Sequence, residues 1–252
     1  MSVFITGASS GIGAACAKAF AAIGHDLVLV ARRADRLEVL ATELKAQYRV
    51  GVETFVLDVR KRKDVELLVS ENLPTFKKVE ILLNNAGLAK GLSTSQAGDP
   101  DEWDLMIDTN IKGLLYVSRA IFPLLIERGG GHVINMGSVA GRWSYPKGNV
   151  YCATKAAIKV LSESMRVDLH GTGVRVTEVA PGMVETEFAE VRFSGDKKQA
   201  KQVYQGLTPL SADDIAEIVI WCAKRPAHVN IQEVVVFPTA QSSVHLVDRK
   251  TS

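Results

Sequence analysis

The 252-residue chain reads as an α/β protein, a doubly wound sheet of about seven parallel strands with helices on both faces. Three observations predict this. Short β-branched runs alternate along the sequence with segments whose apolar residues recur at three- and four-residue spacing. The runs are apolar throughout, as strands covered on both faces are, instead of alternating apolar with polar. No linker, repeat or low-complexity stretch breaks the rhythm, so residues 1–252 are expected to form one domain.

In order, strands are expected at 3–6, 26–31, 52–57, 79–84, 132–137, 174–180 and 233–237. Helical spacing covers 12–23, 36–47, 103–126, 150–169 and 212–223; in the last, Ile215, Ile218, Val219 and Cys222 fall on one stripe. Residues 183–210 are polar and charged and long for a connection, which suggests a lid. A tail, 238–252, follows the last strand. In an open parallel sheet the ligand sits beyond the carboxyl ends of the strands, so motifs just after strands carry the chemistry.

Composition narrows the function. With 47% hydrophobic residues the chain is no disordered segment, and it is long enough to bury about 70–75% of its unfolded surface. A net charge of +2, from 30 basic and 28 acidic residues, argues against nucleic-acid binding. No apolar run nears the roughly 20 residues of a membrane span, and Val3-Phe4-Ile5-Thr6 reads as a strand, not a leader. Cys16, Cys152 and Cys222, odd in number and far apart, suit reduced thiols and a cytoplasmic setting. The five histidines have no metal-ligand spacing.

The first motif is Thr6-Gly7-Ala8-Ser9-Ser10-Gly11-Ile12-Gly13, a strand-to-helix turn. Its glycines permit a tight bend and the close approach of a pyrophosphate to a helix N-terminus. The spacing is neither G-x-G-x-x-G nor a Walker A loop. Gly7-Ala8-Ser9-Ser10-Gly11 also satisfies G-x-S-x-G, the nucleophile elbow of a serine hydrolase, with His170, His228 and His245 available downstream. The second strand bears on the choice. An NAD site places an acid at its end to hold the ribose hydroxyl. Here Ala31 is followed by Arg32 and Arg33, two cations suited to a 2′-phosphate, and the reading is NADP.

The third motif is catalytic in character. Gly137-Ser138 ends the fifth strand, and Tyr151-Cys152-Ala153-Thr154-Lys155 follows thirteen residues after Ser138. Tyr151 and Lys155 share a helix face with Cβ atoms roughly 5–6 Å apart. A free phenol, with a pKa of about 10, is a poor base at neutrality, and a neighbouring ammonium is expected to lower that value. Ser138 could donate to the same substrate oxygen.

Together these features resemble the short-chain dehydrogenase/reductase family, a Rossmann-type fold, over nearly the whole chain. Thr6–Gly13 is similar to the family's T-G-x-x-x-G-x-G turn. Asp58-Val59 resembles its adenine-contacting pair, and Asn84-Asn85-Ala86-Gly87 its N-N-A-G motif, with Asn85, Ala86 and Gly87 beside the cofactor. Asn110 matches the structural and proton-relay asparagine. Ser138, Tyr151 and Lys155 match the catalytic serine, tyrosine and lysine. Pro181, Gly182, Val184 and Thr186 match the segment around the nicotinamide carboxamide and diphosphate. The resemblance implies NADP held by Gly7, Ser9, Ser10, Gly11, Ile12, Gly13, Arg32, Arg33 and these later positions. It also implies Tyr151 as general acid/base, Lys155 on the nicotinamide ribose, and a homotetramer.

Within the family, M-I-D-T-N-I-K (106–112), G-N-V-Y-C-A-T-K (148–155), L-H-G-T-G-V (169–174), V-R-F-S-G-D (191–196) and P-A-H-V-N-I (226–231) resemble the NADP-dependent 3-hydroxy acid dehydrogenases of serine and L-allo-threonine. Such a substrate carries a carboxylate, for which Lys90, Arg142 and Arg192 are candidates. Arg192, in the lid, is preferred; with Ser138 and Tyr151 it forms the expected substrate set. Alternatives are a reductase of a neutral carbonyl, sugar or steroid, and a weakly active NADP-binding regulator. Trp143 and Tyr145 stand near the substrate mouth or in packing, and Lys61-Arg62-Lys63 reads as a solvated helix start.

Overall fold

The computed structural model describes residues 1–250. Seven strands form one sheet: β1 (Ser2–Thr6), β2 (Asp26–Ala31), β3 (Val52–Val56), β4 (Val79–Asn84), β5 (Gly131–Met136), β6 (Val174–Pro181) and β7 (Glu233–Val236). Their order is β3-β2-β1-β4-β5-β6-β7, and every neighbouring pair is parallel. The order reverses between β1 and β4. Loops leaving those two strands diverge there and open a crevice at the sheet's carboxyl edge.

The apolar runs are explained by burial on two sides. Along β1, Val3 and Ile5 enter one core with Leu27, Leu29, Phe20 and Ile215. Phe4, between them, enters the other with Val28, Phe76, Leu82, Leu125 and Ile158. Each alternate side chain meets a helix layer, so neither parity of the strand can be polar. The first layer is α1 (Gly11–Ala22), α2 (Ala34–Tyr48) and, later in the chain, α10 (Ala212–Ala223). On the opposite face lie α3 (Arg62–Glu71), the single turn α4 (Leu73–Phe76), α6 (Leu114–Glu127) and α7 (Asn149–Asp168). At α10 the Ser211 hydroxyl and Asp214 carboxylate cap each other's backbone amides, which fixes the helix start.

The helical spacing over 103–126 is divided in the structure. α5 (Pro100–Ile107) gives way to a π-helical turn, Asp108–Gly113, before α6 begins. Two packing demands explain the widened turn: Asn110 must reach the Leu88 backbone, and Gly113 lies so close to Val59 that a Cβ there would come within 2.7 Å of its methyl. The lid also holds more regular structure than its polar composition indicates, with α8 (Phe188–Arg192) and α9 (Lys197–Gln202). A parallel bridge between Val184 and Leu210 ties its two ends together. The tail folds back on the lid: Lys250 N donates to the Gly206 carbonyl, and Arg249 donates to those of Val203 and Gln205. Its final pair, Thr251 and Ser252, lies outside the described residues. Among the described residues no helix is long and apolar enough to cross a membrane, and no cluster of potential metal ligands occurs.

Candidate active site

The turn after β1 is built for close approach. Gly7 has φ +67°, and a Cβ there would lie 2.9 Å from the Ala86 Cα. A Cβ on Gly13 would collide with the Gly7 carbonyl. The Thr6 hydroxyl, placed by β1, accepts from the amides of Asn85 and Ala86, both at 3.0 Å. Asn85 Nδ2 in return donates to the carbonyls of Thr6 and Gly7. Threonine's branched, one-donor hydroxyl thus joins the loops that follow β1 and β4, a role the motif letters alone do not disclose.

Between these loops lies a cleft of about 630 Å³. Gly7, Ser9, Ser10, Gly11 and Ile12 line one end with Arg32, Arg33, Asp58 and Val59. Asn85, Ala86 and Gly87 line the middle, Ser138, Tyr151, Lys155, Pro181, Gly182, Val184 and Arg192 the other end, and Thr186 stands against Gly11 at the first end. Gly13 and Asn110 stand behind the wall. Asn110 Nδ2 donates to the Leu88 carbonyl at 2.8 Å and to Thr154 Oγ1 at 3.0 Å, while its Oδ1 accepts from the Leu88 amide. It holds the loop after β4 against α7. The glycine cradle, the helix N-terminus and the paired arginines fit a 2′-phosphorylated dinucleotide, and the volume lies within the range of cofactor clefts.

Arg33 is already organised. Its Nη2 donates to Ser10 Oγ at 2.7 Å and Ser9 Oγ at 3.2 Å, and Nη1 pairs with Glu187 of the lid at 3.0 Å. Ser9 is therefore an arginine partner. Among the described residues no histidine lines the cleft, so the hydrolase-elbow reading fails for want of a base. Asp58 is engaged by Arg60 through its backbone amide and guanidinium, which hold its carboxyl below the usual range.

At the other end, α7 presents Tyr151, 8% exposed, and Lys155, 6% exposed, on its buried face. Lys155 Nζ lies 5.9 Å from the centre of the Tyr151 ring and donates to the Met136 carbonyl at 2.8 Å. Ser138 Oγ accepts from the Ala140 amide at 3.1 Å, which orients the hydroxyl at the tip of β5. The electrostatics differ from the sequence expectation. Burial pushes the Tyr151 phenol above its ordinary value; the groups pulling it back are the Ser138 hydroxyl and the Arg192 guanidinium, not Lys155. The same dry environment brings the Lys155 amine down to about 8, so it is still mostly an ammonium at neutrality but titrates not far above it.

The three carboxylate candidates separate clearly. Arg142 is committed elsewhere: its Nη2 reaches both Glu178 and Glu233 at 2.7 Å, its side chain is 8% exposed, and it is not among the residues that line the cleft. Lys90 is not among the residues that line the cleft, and its Nζ donates to Ser194 Oγ at 3.1 Å. Arg192 lies 5.7 Å from the centre of the Tyr151 ring and donates to Tyr145 Oη at 2.8 Å and to the Gly91 carbonyl at 3.2 Å. Tyr145 lines the cleft, whereas Trp143 leaves it to pack on Phe237. Phe188, 5.6 Å from Tyr151 between ring centres, and the tail's Gln241, which accepts from the Met183 amide at 2.9 Å, were not singled out by the sequence. Gln241's role had no sequence signal, because it depends on the tail returning to the β6 loop.

A crossover sheet with a glycine-cradled cleft, and a buried serine–tyrosine–lysine group at its far end, defines a dinucleotide-dependent oxidoreductase. The particular family follows from comparison: the chain belongs to the short chain dehydrogenases, whose family model matches residues 1–197. It is 49% identical over 249 residues to sulfoacetaldehyde reductase 2 of Chromohalobacter salexigens, covering 98% of each chain. It is 45% identical over 250 residues to the NADP-dependent 3-hydroxy acid dehydrogenase YdfG of Salmonella typhi, covering 97% of this chain and 99% of the other. The solved closed form of a serine dehydrogenase complexed with NADP+ superposes with a TM-score of 0.92 at 42% identity, over the full length of both chains.

Proposed function

We propose that residues 1–252 act as one NADP-dependent dehydrogenase/reductase of small 3-hydroxy acids and their oxo forms, of the serine, L-allo-threonine, 3-hydroxyisobutyrate and 3-hydroxypropionate type. The observation that carries this is Arg192, a cation at the cleft wall 5.7 Å from the Tyr151 ring centre, inside the reach of a three-carbon substrate. A neutral carbonyl, sugar or steroid would leave that guanidinium without a counter-charge. A regulator without turnover would have no use for the buried acid–base group.

Tyr151 Oη holds the transferable proton. In reduction it donates to the carbonyl oxygen, and in oxidation it takes the proton of the hydroxyl. Burial keeps the phenol protonated at neutrality, which favours the reductive role. Ser138 Oγ, held by the Ala140 amide, donates to the same substrate oxygen and fixes its position. Lys155, anchored on the Met136 carbonyl, would hold the ribose hydroxyls of the bound cofactor, and Asn110 keeps the loop after β4 in register with α7. When bound, NADP(H) supplies or takes the hydride. Arg32 and Arg33 hold its 2′-phosphate.

A second reading is favoured by the 49% identity to a sulfoacetaldehyde reductase. Sulfoacetaldehyde carries its sulfonate one methylene from the reacting carbon, the same separation as the carboxylate in 3-oxopropanoate. One guanidinium at one distance can serve both. The decisive experiment follows nicotinamide absorbance with NADP(H) and NAD(H) against the 3-hydroxy acids, sulfoacetaldehyde and uncharged secondary alcohols or ketones. Turnover of anionic substrates well above neutral ones supports the proposal; a preference for neutral ones overturns it. A cytoplasmic location and homotetrameric assembly belong to the same reading. The three buried, unpaired thiols support the first, and the family resemblance supports the second.

A further inference from the structure

Glu187 lies near the start of the lid segment, next to Thr186, whose side chain rests on the glycine-rich turn; a Cβ on Gly11 would lie 3.3 Å from it. From there the Glu187 carboxylate spans the cleft mouth. One oxygen pairs with Arg33 Nη1 at 3.0 Å and the other with Arg36 Nη1 at 2.5 Å. Arg33 Nη2 and Nε point to Ser9 and Ser10. The arginine that would receive a 2′-phosphate thus already carries an anion, supplied by the chain itself from a distant segment.

A carboxylate and a phosphate dianion compete for Arg33, because Glu187 holds its Nη1 through one oxygen and the two anions repel at that distance. Arg36, on the first turn of α2, gives Glu187 a second partner to retain after Arg33 is surrendered. A nucleotide without the 2′-phosphate has no reason to break the Arg33–Glu187 pair.

We infer that Glu187 is a specificity-determining residue: an internal anion that occupies Arg33 until a 2′-phosphate displaces it, lowering the preference for NADP over NAD below what the arginines alone would give. The inference rests on the NADP reading of this cleft.

The test uses the intact chain and two probes, 2′-AMP and 5′-AMP, titrated by calorimetry at low ionic strength against the wild type, Glu187→Gln and Arg33→Ala. Glu187→Gln keeps the size of the side chain and removes its charge, and its position is exposed enough to tolerate this. The expected result is 2′-AMP binding tightened about threefold to fivefold, the ratio that one half-exposed ion pair converts to, with 5′-AMP binding unchanged. Arg33→Ala should weaken 2′-AMP selectively. If Glu187→Gln leaves 2′-AMP unchanged, weakens it, or tightens both probes alike, the competitor role is overturned while the 2′ preference of the cleft stands. If no variant, nor the wild type, distinguishes the probes, the NADP reading falls and the inference with it.

Discussion

The Arg192 guanidinium, from the lid, stands 5.7 Å from the centre of the Tyr151 ring, from α7, and is one of the groups that draw the buried phenol's pKa back toward its ordinary range. On the proposed function this one residue would both read the substrate's charge and bias the catalytic proton. Arg192→Ala should therefore raise KM for a 3-hydroxy acid by about tenfold or more while changing an uncharged secondary alcohol little. It should also move the alkaline limb of the pH profile upward, since removing a cation disfavours the phenolate. Equal losses on both substrates, with an unmoved limb, would show that Arg192 only braces the lid.

The proton itself is tested at Tyr151. Its ring packs against Phe188 and beside Arg192, contacts that phenylalanine retains. Tyr151→Phe is expected to fold and bind NADP normally but to lose about 100- to 10,000-fold in kcat, the span of general acid–base catalysis. The pH dependence of the wild type has a definite sign. Because burial raises the phenol, reduction, which needs the acid, should persist through neutrality and fall only in the alkaline range. Oxidation, which needs the base, should climb across that range. Near-native turnover by Tyr151→Phe would remove the residue from its role.

At the opposite end of the cleft, Arg32→Ala combined with Arg33→Ala should raise KM for NADP roughly tenfold or more and leave that for NAD nearly constant, because only one of the two carries a group for the cations to hold. Arg33 also bonds Ser9 and Ser10, so steady-state kinetics with both cofactors must be compared in the same variant. A matched loss for both cofactors would mean the arginines serve the turn and not the phosphate.

Acid stability has an identifiable contributor in β5. His132 is 2% exposed, and its Nε2 lies 2.7 Å from Thr177 Oγ1, which itself donates to the Ile231 carbonyl. The hydroxyl can therefore only accept, so Nε2 carries the proton, and the unpartnered Nδ1 is bare. Burial, then the neighbouring Arg175, depresses the histidine to about 3. The unfolded chain consequently binds one more proton between about pH 6.5 and 3, and folding stability falls as pH falls through that window. The full linkage is on the order of 5 kcal/mol. Denaturant titrations at pH 7 and 5 should show His132→Gln with a flatter acid limb than the wild type; parallel limbs would assign the acid sensitivity elsewhere.

Much of this was legible in the sequence because its causes are local. The seven runs became seven parallel strands with small shifts at their ends; burial on both faces accounts for the five inner strands, while the edge strands β3 and β7 stay partly exposed. The i, i+4 spacing of Tyr151 and Lys155 fixed their common face on α7. The helical period over 103–126, by contrast, concealed the π-helical turn at Asp108–Gly113, which is imposed by Leu88 and Val59 from elsewhere in the chain. The preference for Arg192 over the other two cations came from its place in the lid; only the structure shows that Arg142 is paired with Glu178 and Glu233 and that Lys90 donates to Ser194.

By itself, then, the chain's order of residues determined the strand–helix alternation, the glycine turn, the arginine pair and the tyrosine–lysine face. Each depends on neighbours within a turn or a strand. Only the tertiary structure decided which charges remain available, which way the phenol and amine titrate, and that a lid glutamate sits on Arg33. Those properties come from desolvation and from partners on other elements, as far as 154 residues apart for Arg33 and Glu187, which no local spacing encodes.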